Sequence, residues 1–243
     1  MTQTHYKIIL DEDRLRKFIE WLPELHNKET YYVCLFARSK YTEQMKINGG
    51  QLQLRRFISK KEYLFQKIMQ LEVPIGAFTN NGVAIPQESL ALYINPNPRN
   101  IEKASRKAVI KLTQLVLESY NGYNPYTEIL SEMQVATGRK VNMNFDFDGV
   151  KIDDVLNEIQ TKDILNINAV NVLKTRGGFH LLVESEKIDN KYKKSWYMQM
   201  TKIPGWDKKS GSTDGLMPVP GCTQGGFSPS IFPVVFPKSG IIL

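Results

Sequence analysis

The stretch 141-VNMNFDFDGVKIDD-154 places two acidic residues, Asp146 and Asp148, one residue apart within an apolar run. In an extended strand, residues i and i+2 point to the same face, so both carboxylates would lie side by side while Phe145 and Phe147 face the core. Two neighbouring carboxylates repel each other, and a divalent cation bound by oxygen ligands removes that conflict. We therefore expect a metal site at this strand, with Mg²⁺ or Mn²⁺ as the cation.

The residues of this stretch leave two other interpretations open. The strand end could be solvated, with its acids serving only to cap the helix that follows Gly149. The segment DFDGV also resembles the first motif of haloacid-dehalogenase-like phosphatases, whose first aspartate, here Asp146, is the nucleophile. That fold needs a parallel, doubly wound sheet after the motif. The residues after Asp148 contain glycine turns and prolines instead, which counts against the phosphatase.

The bulk composition is that of a globular domain with a polyanionic partner. Apolar residues make up 42% of the 243 residues, enough for the core of one large domain or two closely packed subdomains. The formal net charge of +7 favours nucleic acid or nucleotides as ligands. Two cysteines are too few for a disulfide framework. No apolar run is long enough to span a membrane, and the N-terminus lacks the apolar core of a signal peptide. We expect a soluble protein of the cytoplasm without membrane contact.

The spacing of apolar residues predicts helices mixed with strands, that is, an α+β fold. Helices are predicted at 11–28, 60–72, 101–120, 151–161 and 186–202, and strands at 30–39, 49–59, 90–94, 141–148, 167–174, 178–184 and 231–236. Pro23 is expected to kink or end the first helix, and Asn100 to cap the third. The pattern changes near residue 138, which predicts an N-terminal α/β subdomain at 1–138 and a sheet-rich subdomain at 139–243.

A second chemical signal lies in 174-KTRGGFHLLVE-184, where a glycine turn precedes a strand that carries His180. The Gly177–Gly178 pair lets the backbone approach a ligand, and Arg176 at the same turn could reach a phosphate. A lone histidine on a strand is usually structural. The stretch therefore gains its meaning only together with the aspartate pair.

Taken together, the Asp-x-Asp strand and the later Gly178-Phe179-His180 strand resemble the archaeo-eukaryotic primase superfamily, the family of primase-polymerases. Members carry an Asp-x-Asp motif, a Ser/Gly-x-His motif and a third acidic residue. Here the third acid falls most naturally on Asp214, because the run PGCTQGG at 220–226 is similar to one in several phage and plasmid primase-polymerases. Asp207, which follows Trp206, is the alternative. The resemblance covers about residues 139–237.

The resemblance implies an N-terminal α/β unit packed on an RRM-like mixed or antiparallel sheet, with the active site between them. It implies a DNA primase or polymerase that adds nucleotides to a 3′-hydroxyl with release of pyrophosphate during DNA replication, using Mg²⁺ or Mn²⁺. The catalytic residues would be the metal ligands Asp146, Asp148 and Asp214, together with His180. The expected nucleotide contacts are Thr175, Arg176, Gly177, Gly178 and His180. Gln224 is a further candidate for contact with the sugar or base of the nucleotide, and a role in its turn fits the sequence equally well.

Basic residues outside these motifs are candidate contacts to a DNA backbone, although a solvated helix face would look the same in sequence. These candidates are Arg99, Arg106, Lys191 and Lys194. Arg38, at the end of a strand, could reach a phosphate or pair with a surface acid, and the surface acid is the favoured partner. Single-stranded or primed DNA and nucleoside triphosphates are the expected ligands, and a helicase would be a separate chain because no P-loop motif occurs. A catalytically silent relative that only binds nucleic acid is the second hypothesis.

Overall fold

The computed structural model describes residues 3–118, 122–207 and 214–234. The helices in these ranges are α1 Glu12–Trp21, α2 Leu64–Met69, α3 Ile101–Leu117, α4 Pro125–Val135, α5 Ile152–Thr161 and α6 Trp196–Met200. The strands are β1 Glu29–Arg38, β2 Gln51–Ser59, β3 Thr79–Asn80, β4 Val83–Ala84, β5 Leu90–Ile94, β6 Arg99–Asn100, β7 Asn142–Phe147, β8 Val170–Lys174, β9 Phe179–Glu184, β10 Met217–Pro218 and β11 Ser230–Pro233. The predicted α+β class is confirmed.

The first sheet has the strand order β10-β5-β1-β2, with β6 pairing alongside β1, and its pairs are antiparallel. Strand β1 is buried along almost its whole length because both faces of the sheet are covered. One face carries Val33 and Leu35, which pack in the same core as residues of α1 and α2. The opposite face carries Cys34 and Phe36, which pack with residues of α3 and α4.

The second sheet has the order β11-β8-β9-β7 and is also antiparallel throughout. Phe145 and Phe147 point to the face that packs on α5, as their alternation with the aspartates predicts. Leu173 and Leu182 point to the other face and join the core of the first sheet. The two sheets therefore share a core. The antiparallel pairing around β7 also departs from the parallel sheet that the phosphatase interpretation requires.

The chain returns to the first sheet after residue 214. Met217 of β10 pairs with Ile94 of β5, and the Thr223 N–H donates to the Ile8 carbonyl at 2.8 Å. The turn at Gly221 has φ +82°, and a Cβ there would lie 2.5 Å from the Asp11 carbonyl oxygen, so the position favours glycine. Residues 217–225 thus belong to the first sheet, although they lie beyond the expected boundary at 138.

Local signals placed most elements correctly. Helix α1 ends at Trp21, just before Pro23, and the Asn100 side chain caps α3 by accepting from the Lys103 N–H at 2.8 Å. The predicted helix at 186–202 is wrong: a 3₁₀ turn at Ser185–Lys187 is followed by further turns and then by the short α6. Among the described residues, no helix is long and apolar enough to cross a membrane.

Candidate metal centre

Three aspartates meet where β7 ends. One carboxylate oxygen from each of Asp146, Asp148 and Asp207 lies within 4.8 Å of the other two. The backbone brings Asp207 there: its N–H donates to the Asp146 carbonyl at 2.9 Å, and the Asp148 N–H donates to the Gly205 carbonyl at 3.0 Å. Residues 205–207 therefore lie alongside the end of β7. The alternative third acid, Asp207, completes the carboxylate group.

Asp214, the preferred third acid in the sequence, lies in a different environment. Its carboxylate accepts from Nη1 of Arg99 at 3.0 Å, from Arg99 Nη2, from Asn97 Nδ2 at 2.7 Å and from the Thr137 hydroxyl. Its side chain is 9% exposed. A carboxylate that is satisfied in this way by an arginine and two neutral donors serves the fold, and the expected role of Asp214 as a metal ligand is not what this geometry provides.

The same contacts change the interpretation of Arg99, which the sequence offered as a contact to a DNA backbone. The residue is 1% exposed. Besides Asp214, its guanidinium donates to the carbonyls of Asn97 and Gln134 at 3.1 Å and to the Thr137 hydroxyl at 3.0 Å. A buried guanidinium with this set of acceptors cannot reach a phosphate on the surface.

The electrostatics of the three aspartates fit a bound cation. Burial, followed by repulsion from Asp148 and Asp207, raises the pKa of Asp146 to about 6, against a smaller opposing effect of Lys40. A divalent ion would relieve this repulsion, and an all-carboxylate donor set suits a hard cation such as Mg²⁺ or Mn²⁺. The residues present therefore fit the expected metal, although the donor set does not distinguish one hard cation from another.

His180 lies directly across the sheet from Asp146. Its Nε2 is 3.5 Å from Asp146 Oδ1, and its Nδ1 is 2.9 Å from Asn144 Oδ1. Burial lowers the pKa of His180 to about 4, so the ring is neutral at neutral pH. The predicted Gly-x-His strand thus places its histidine beside the first aspartate of the Asp-x-Asp strand.

The turn at 175–178 packs tightly against the aspartates. The Thr175 hydroxyl donates to the Gly178 carbonyl at 3.0 Å and accepts from the Gly178 N–H at 3.2 Å, which closes the turn. A Cβ on Gly178 would lie 2.5 Å from the Phe147 carbonyl oxygen and 2.8 Å from Asp148 Oδ1. A Cβ on Gly177 would meet nothing within 4 Å. Gly178 is therefore the glycine that lets the turn approach Asp148 and the end of β7.

A group of cationic and aromatic side chains, the Tyr41 cluster, lies next to this turn. The Arg176 guanidinium is 4.9 Å from the centroid of the Tyr41 ring, and the Lys40 ammonium is 5.2 Å from it. The Arg38 Nη1 donates to the Tyr93 hydroxyl at 2.6 Å, whereas the sequence led us to expect a surface acid as its partner. The cluster comprises Arg38, Lys40, Tyr41, Tyr93, Arg176 and Gln224.

Gln224 holds this cluster together from the C-terminal segment. Its side-chain oxygen accepts from the backbone N–H of Arg176 at 2.8 Å, and the next residue, Gly225, accepts from the Arg176 guanidinium through its carbonyl. Gln224 is 5% exposed. The sequence left two roles open for Gln224, a contact to the nucleotide and a structural role in a turn. Its hydrogen bond to the Arg176 N–H supports the structural role.

The remaining basic candidates lie on exposed surface. Arg106 of α3 pairs with Glu102 one turn earlier, and Lys191 pairs with Asp163 at 3.2 Å. Lys194 is also exposed. These surroundings are those of a solvated face, the alternative that the sequence left open.

Sequence motifs gave no sign of Lys40, Tyr41 or Tyr93. Lys40 and Tyr41 follow the end of β1, and Tyr93 lies in β5, far along the chain from both motifs. One signal for these residues was present in the sequence: Arg38 and Lys40 lie where a predicted strand ends. Loops that follow strands often carry ligand-binding residues.

Comparison with known proteins finds no relative of this chain. No family model, no curated protein and no solved structure matches it. Any conclusion about function therefore rests on the residues themselves.

Proposed function

We propose that the chain is a metal-dependent nucleotidyltransferase of the primase-polymerase type, which adds nucleotides to a 3′-hydroxyl on a DNA template and releases pyrophosphate. One observation carries this proposal: a carboxylate group suited to a hard cation adjoins a cationic cluster suited to phosphate. Lys40 links the two, because it lies close to the Tyr41 ring and its charge acts on Asp146. Metal-bound nucleoside triphosphates require this pairing of charges.

The proposal assigns the metal ligands to Asp146, Asp148 and Asp207. The bound cations would neutralise the charge on the attacking 3′-oxygen and the leaving pyrophosphate. The carboxylates act by position and charge, so no covalent protein intermediate is needed.

The phosphates of the nucleotide would contact the cationic side chains of the Tyr41 cluster. Arg176 is already held by Gln224 and Gly225, which reduces the entropy that it loses when it binds a phosphate. The Nη1 of Arg38 donates to the Tyr93 hydroxyl, which holds its guanidinium beside the Tyr41 ring. We keep the predicted contact of His180 with the triphosphate as part of the proposal.

Fold and charge are compatible with this function. Asp146 and His180 belong to the second sheet, and Asp148 and Asp207 lie next to the end of β7. Arg38 ends β1 of the first sheet, and Lys40 and Tyr41 follow it directly. A site between two sheets with a shared core is the arrangement expected of a primase-polymerase core. The net charge of +7 suits a DNA template and a triphosphate.

The test is extension of a labelled DNA primer on a template with nucleoside triphosphates and Mn²⁺ or Mg²⁺. We expect incorporation by the wild type and none above background by Asp146→Asn or Asp148→Asn. Asp189→Asn removes the same charge at an exposed position outside the site and serves as the matched control. Electron paramagnetic resonance of Mn²⁺ should show binding to the wild type and to the control, but not to either site variant.

Three results would contradict the proposal. If the wild type neither incorporates nucleotides nor binds Mn²⁺, the site is not a metal centre. If salt-dependent DNA binding persists in Asp148→Asn and the wild type makes no product, the chain is a silent nucleic-acid-binding relative. A trapped phospho-aspartyl adduct on Asp146 would identify a phosphatase.

A further inference from the structure

A groove runs between the edge strand β2 and helix α4. It has a volume of about 490 Å³, within the range of about 300–1,000 Å³ that is typical of ligand sites. Residues 51–56 of β2 line one side, and Tyr126, Thr127 and Leu130 of α4 line the other. Among the described residues, β2 pairs only with β1, so it forms the edge of the first sheet. The groove is thus a separate cleft outside the metal centre.

The groove begins beside the Tyr41 cluster. Arg38, whose guanidinium bonds to Tyr93, is paired across the sheet with Gln51, the first residue of the groove. Six residues of β2 extend roughly 20 Å at about 3.3 Å per residue. This length corresponds to about six nucleotides stacked at 3.4 Å each. A single strand of nucleic acid that lies in the groove would therefore lead toward the Tyr41 cluster and the three aspartates.

The chemistry of the lining favours a polyanion with exposed bases. The lining includes Arg55 and Arg56 and no acidic residue. The Arg55 guanidinium lies 5.8 Å from the centroid of the Phe78 ring on the opposite face of the sheet, so Arg56 is the arginine whose guanidinium faces α4. The guanidinium of Arg56 donates to the Ser131 hydroxyl at 3.1 Å and to the Thr127 carbonyl at 3.4 Å, which are neutral acceptors and leave its charge uncompensated. Tyr126 is 64% exposed at the mouth of the groove. Cationic grooves with exposed aromatic rings bind single-stranded nucleic acid, since every base can stack on such a ring.

We infer that this groove binds single-stranded DNA, with a phosphate near Arg56 and a base stacked on Tyr126. The identity of that strand as the template rests on the proposed function, whereas the binding of single-stranded DNA does not. An extended peptide added to the open edge of β2 would be the other way to fill such a cleft. The charge of Arg56, which has no ion pair among the described residues, favours the polyanion.

The first experiment measures the fluorescence anisotropy of a labelled oligodeoxynucleotide of about 15 nucleotides, a length within the range bound by single-stranded DNA domains. Tyr126→Ala should weaken binding about fivefold or more, since stacking of one base on an aromatic ring contributes at least about that factor. Tyr126→Phe keeps the ring and should bind like the wild type. Tyr63, which is 53% exposed and outside the groove, provides the control Tyr63→Ala, which should leave affinity unchanged.

The second experiment inserts a negative charge into the groove. Gln53→Glu should weaken binding about fivefold at low salt, and the difference should shrink as salt rises because counterions screen the added charge. The exposed Gln66 of α2 allows the same substitution, Gln66→Glu, away from the groove as the control.

Two results would overturn the inference: a wild type that does not bind the oligonucleotide, or groove variants that bind it as well as the controls do. Mn²⁺ binding, measured in the same variants, should be unchanged and reports separately on the metal centre. If primer extension succeeds but the groove variants retain full affinity, only the groove inference fails. If the groove binds DNA and the wild type makes no product, only the proposed function fails.

Discussion

Asp146 and Asp214 differ in whether the neighbouring groups balance the charge of the carboxylate. Asp214 is 9% exposed and is held by Arg99, Asn97 and Thr137. Asp146 is 29% exposed, and two of its neighbours are the carboxylates of Asp148 and Asp207. The first acid has its charge matched by the protein. The second has a pKa raised to about 6 because its charge is disfavoured where it lies.

This difference separates a carboxylate whose charge is satisfied within the fold from one whose charge is left for the cation that we propose. Removing one partner of a buried ion pair leaves an uncompensated charge and strongly destabilises the protein. A carboxylate with a raised pKa costs folding free energy, so its retention needs another explanation, and ligand binding provides one.

The largest effect is expected from Asp207→Asn. Loss of a metal-binding carboxylate should lower the rate of nucleotide incorporation by at least about 10²–10³-fold, the scale seen when one preorganised charge is removed from an active site. Primer extension measures the rate, and a urea titration should show little change in the free energy of unfolding. If Asp207→Asn retains wild-type activity, Asp207 is not the third ligand.

Asp214→Asn should have the converse effect. Removing the charge opposite the buried Arg99 should lower the free energy of unfolding by about 3–5 kcal/mol. Chemical denaturation followed by circular dichroism measures this change. The double variant Arg99→Met/Asp214→Leu removes both charges and should recover part of the loss. A stable Asp214→Asn variant that no longer binds Mn²⁺ would reverse the assignment of the two aspartates.

Gly178→Ala tests the packing between the turn and the metal centre. The new Cβ would contact the Phe147 carbonyl and Asp148 Oδ1, so the turn must shift, at a cost of about 1–3 kcal/mol. Mn²⁺ affinity should fall with stability because Asp148 is displaced. Gly177→Ala introduces the same methyl group into open space and should change neither quantity by more than about 0.5 kcal/mol. Equal effects of both substitutions would disprove this account of the turn.

The smallest effect is a gain in stability from Asp146→Asn in the absence of metal. The pKa of Asp146 is raised above its unfolded value of 3.8, so protonation favours the folded state and stability is lost as pH rises from about 4 to about 6. The amide cannot ionise. The variant should therefore match the wild type near pH 4 and exceed it by up to about 2 kcal/mol at pH 7.

Urea denaturation at several pH values with a chelator present measures that difference. Saturating Mn²⁺ should stabilise the wild type but not the variant, and so reverse their order. A variant that is less stable than the wild type at pH 7 without metal would show that Asp146 is not under electrostatic strain.

Local sequence patterns sufficed for the strands that carry the motifs. The alternation in β7 fixes which face Asp146 occupies, and the cap at Asn100 fixes where α3 begins. Both depend on residues that are close together in the chain. The resemblance to a family assigned Asp146 and His180 to one site, whereas their pairing across β7 and β9 is seen only in the structure.

The third acid could not be predicted in this way. Asp207 and Asp214 both lie outside regular helices and strands, and the choice between them depends on contacts across the chain. Asp207 is placed by a backbone hydrogen bond to Asp146, and Asp214 is captured by Arg99. For the same reason Arg99 was expected on the surface, because its partner lies more than a hundred residues away, at a separation of 115.

The return of residues 217–225 to the first sheet has a consequence for biosynthesis. During translation, β5 leaves the ribosome before its partner β10 has been made. The Ile8 carbonyl likewise emerges before Thr223, whose N–H donates to it in the folded protein. Strand pairs this distant in sequence form late, and until then an open strand edge is available to other nascent chains. The arrangement of Arg38, Tyr93 and Gln224 can therefore be completed only after the C-terminal segment has been made, so an incomplete chain would lack the proposed phosphate site.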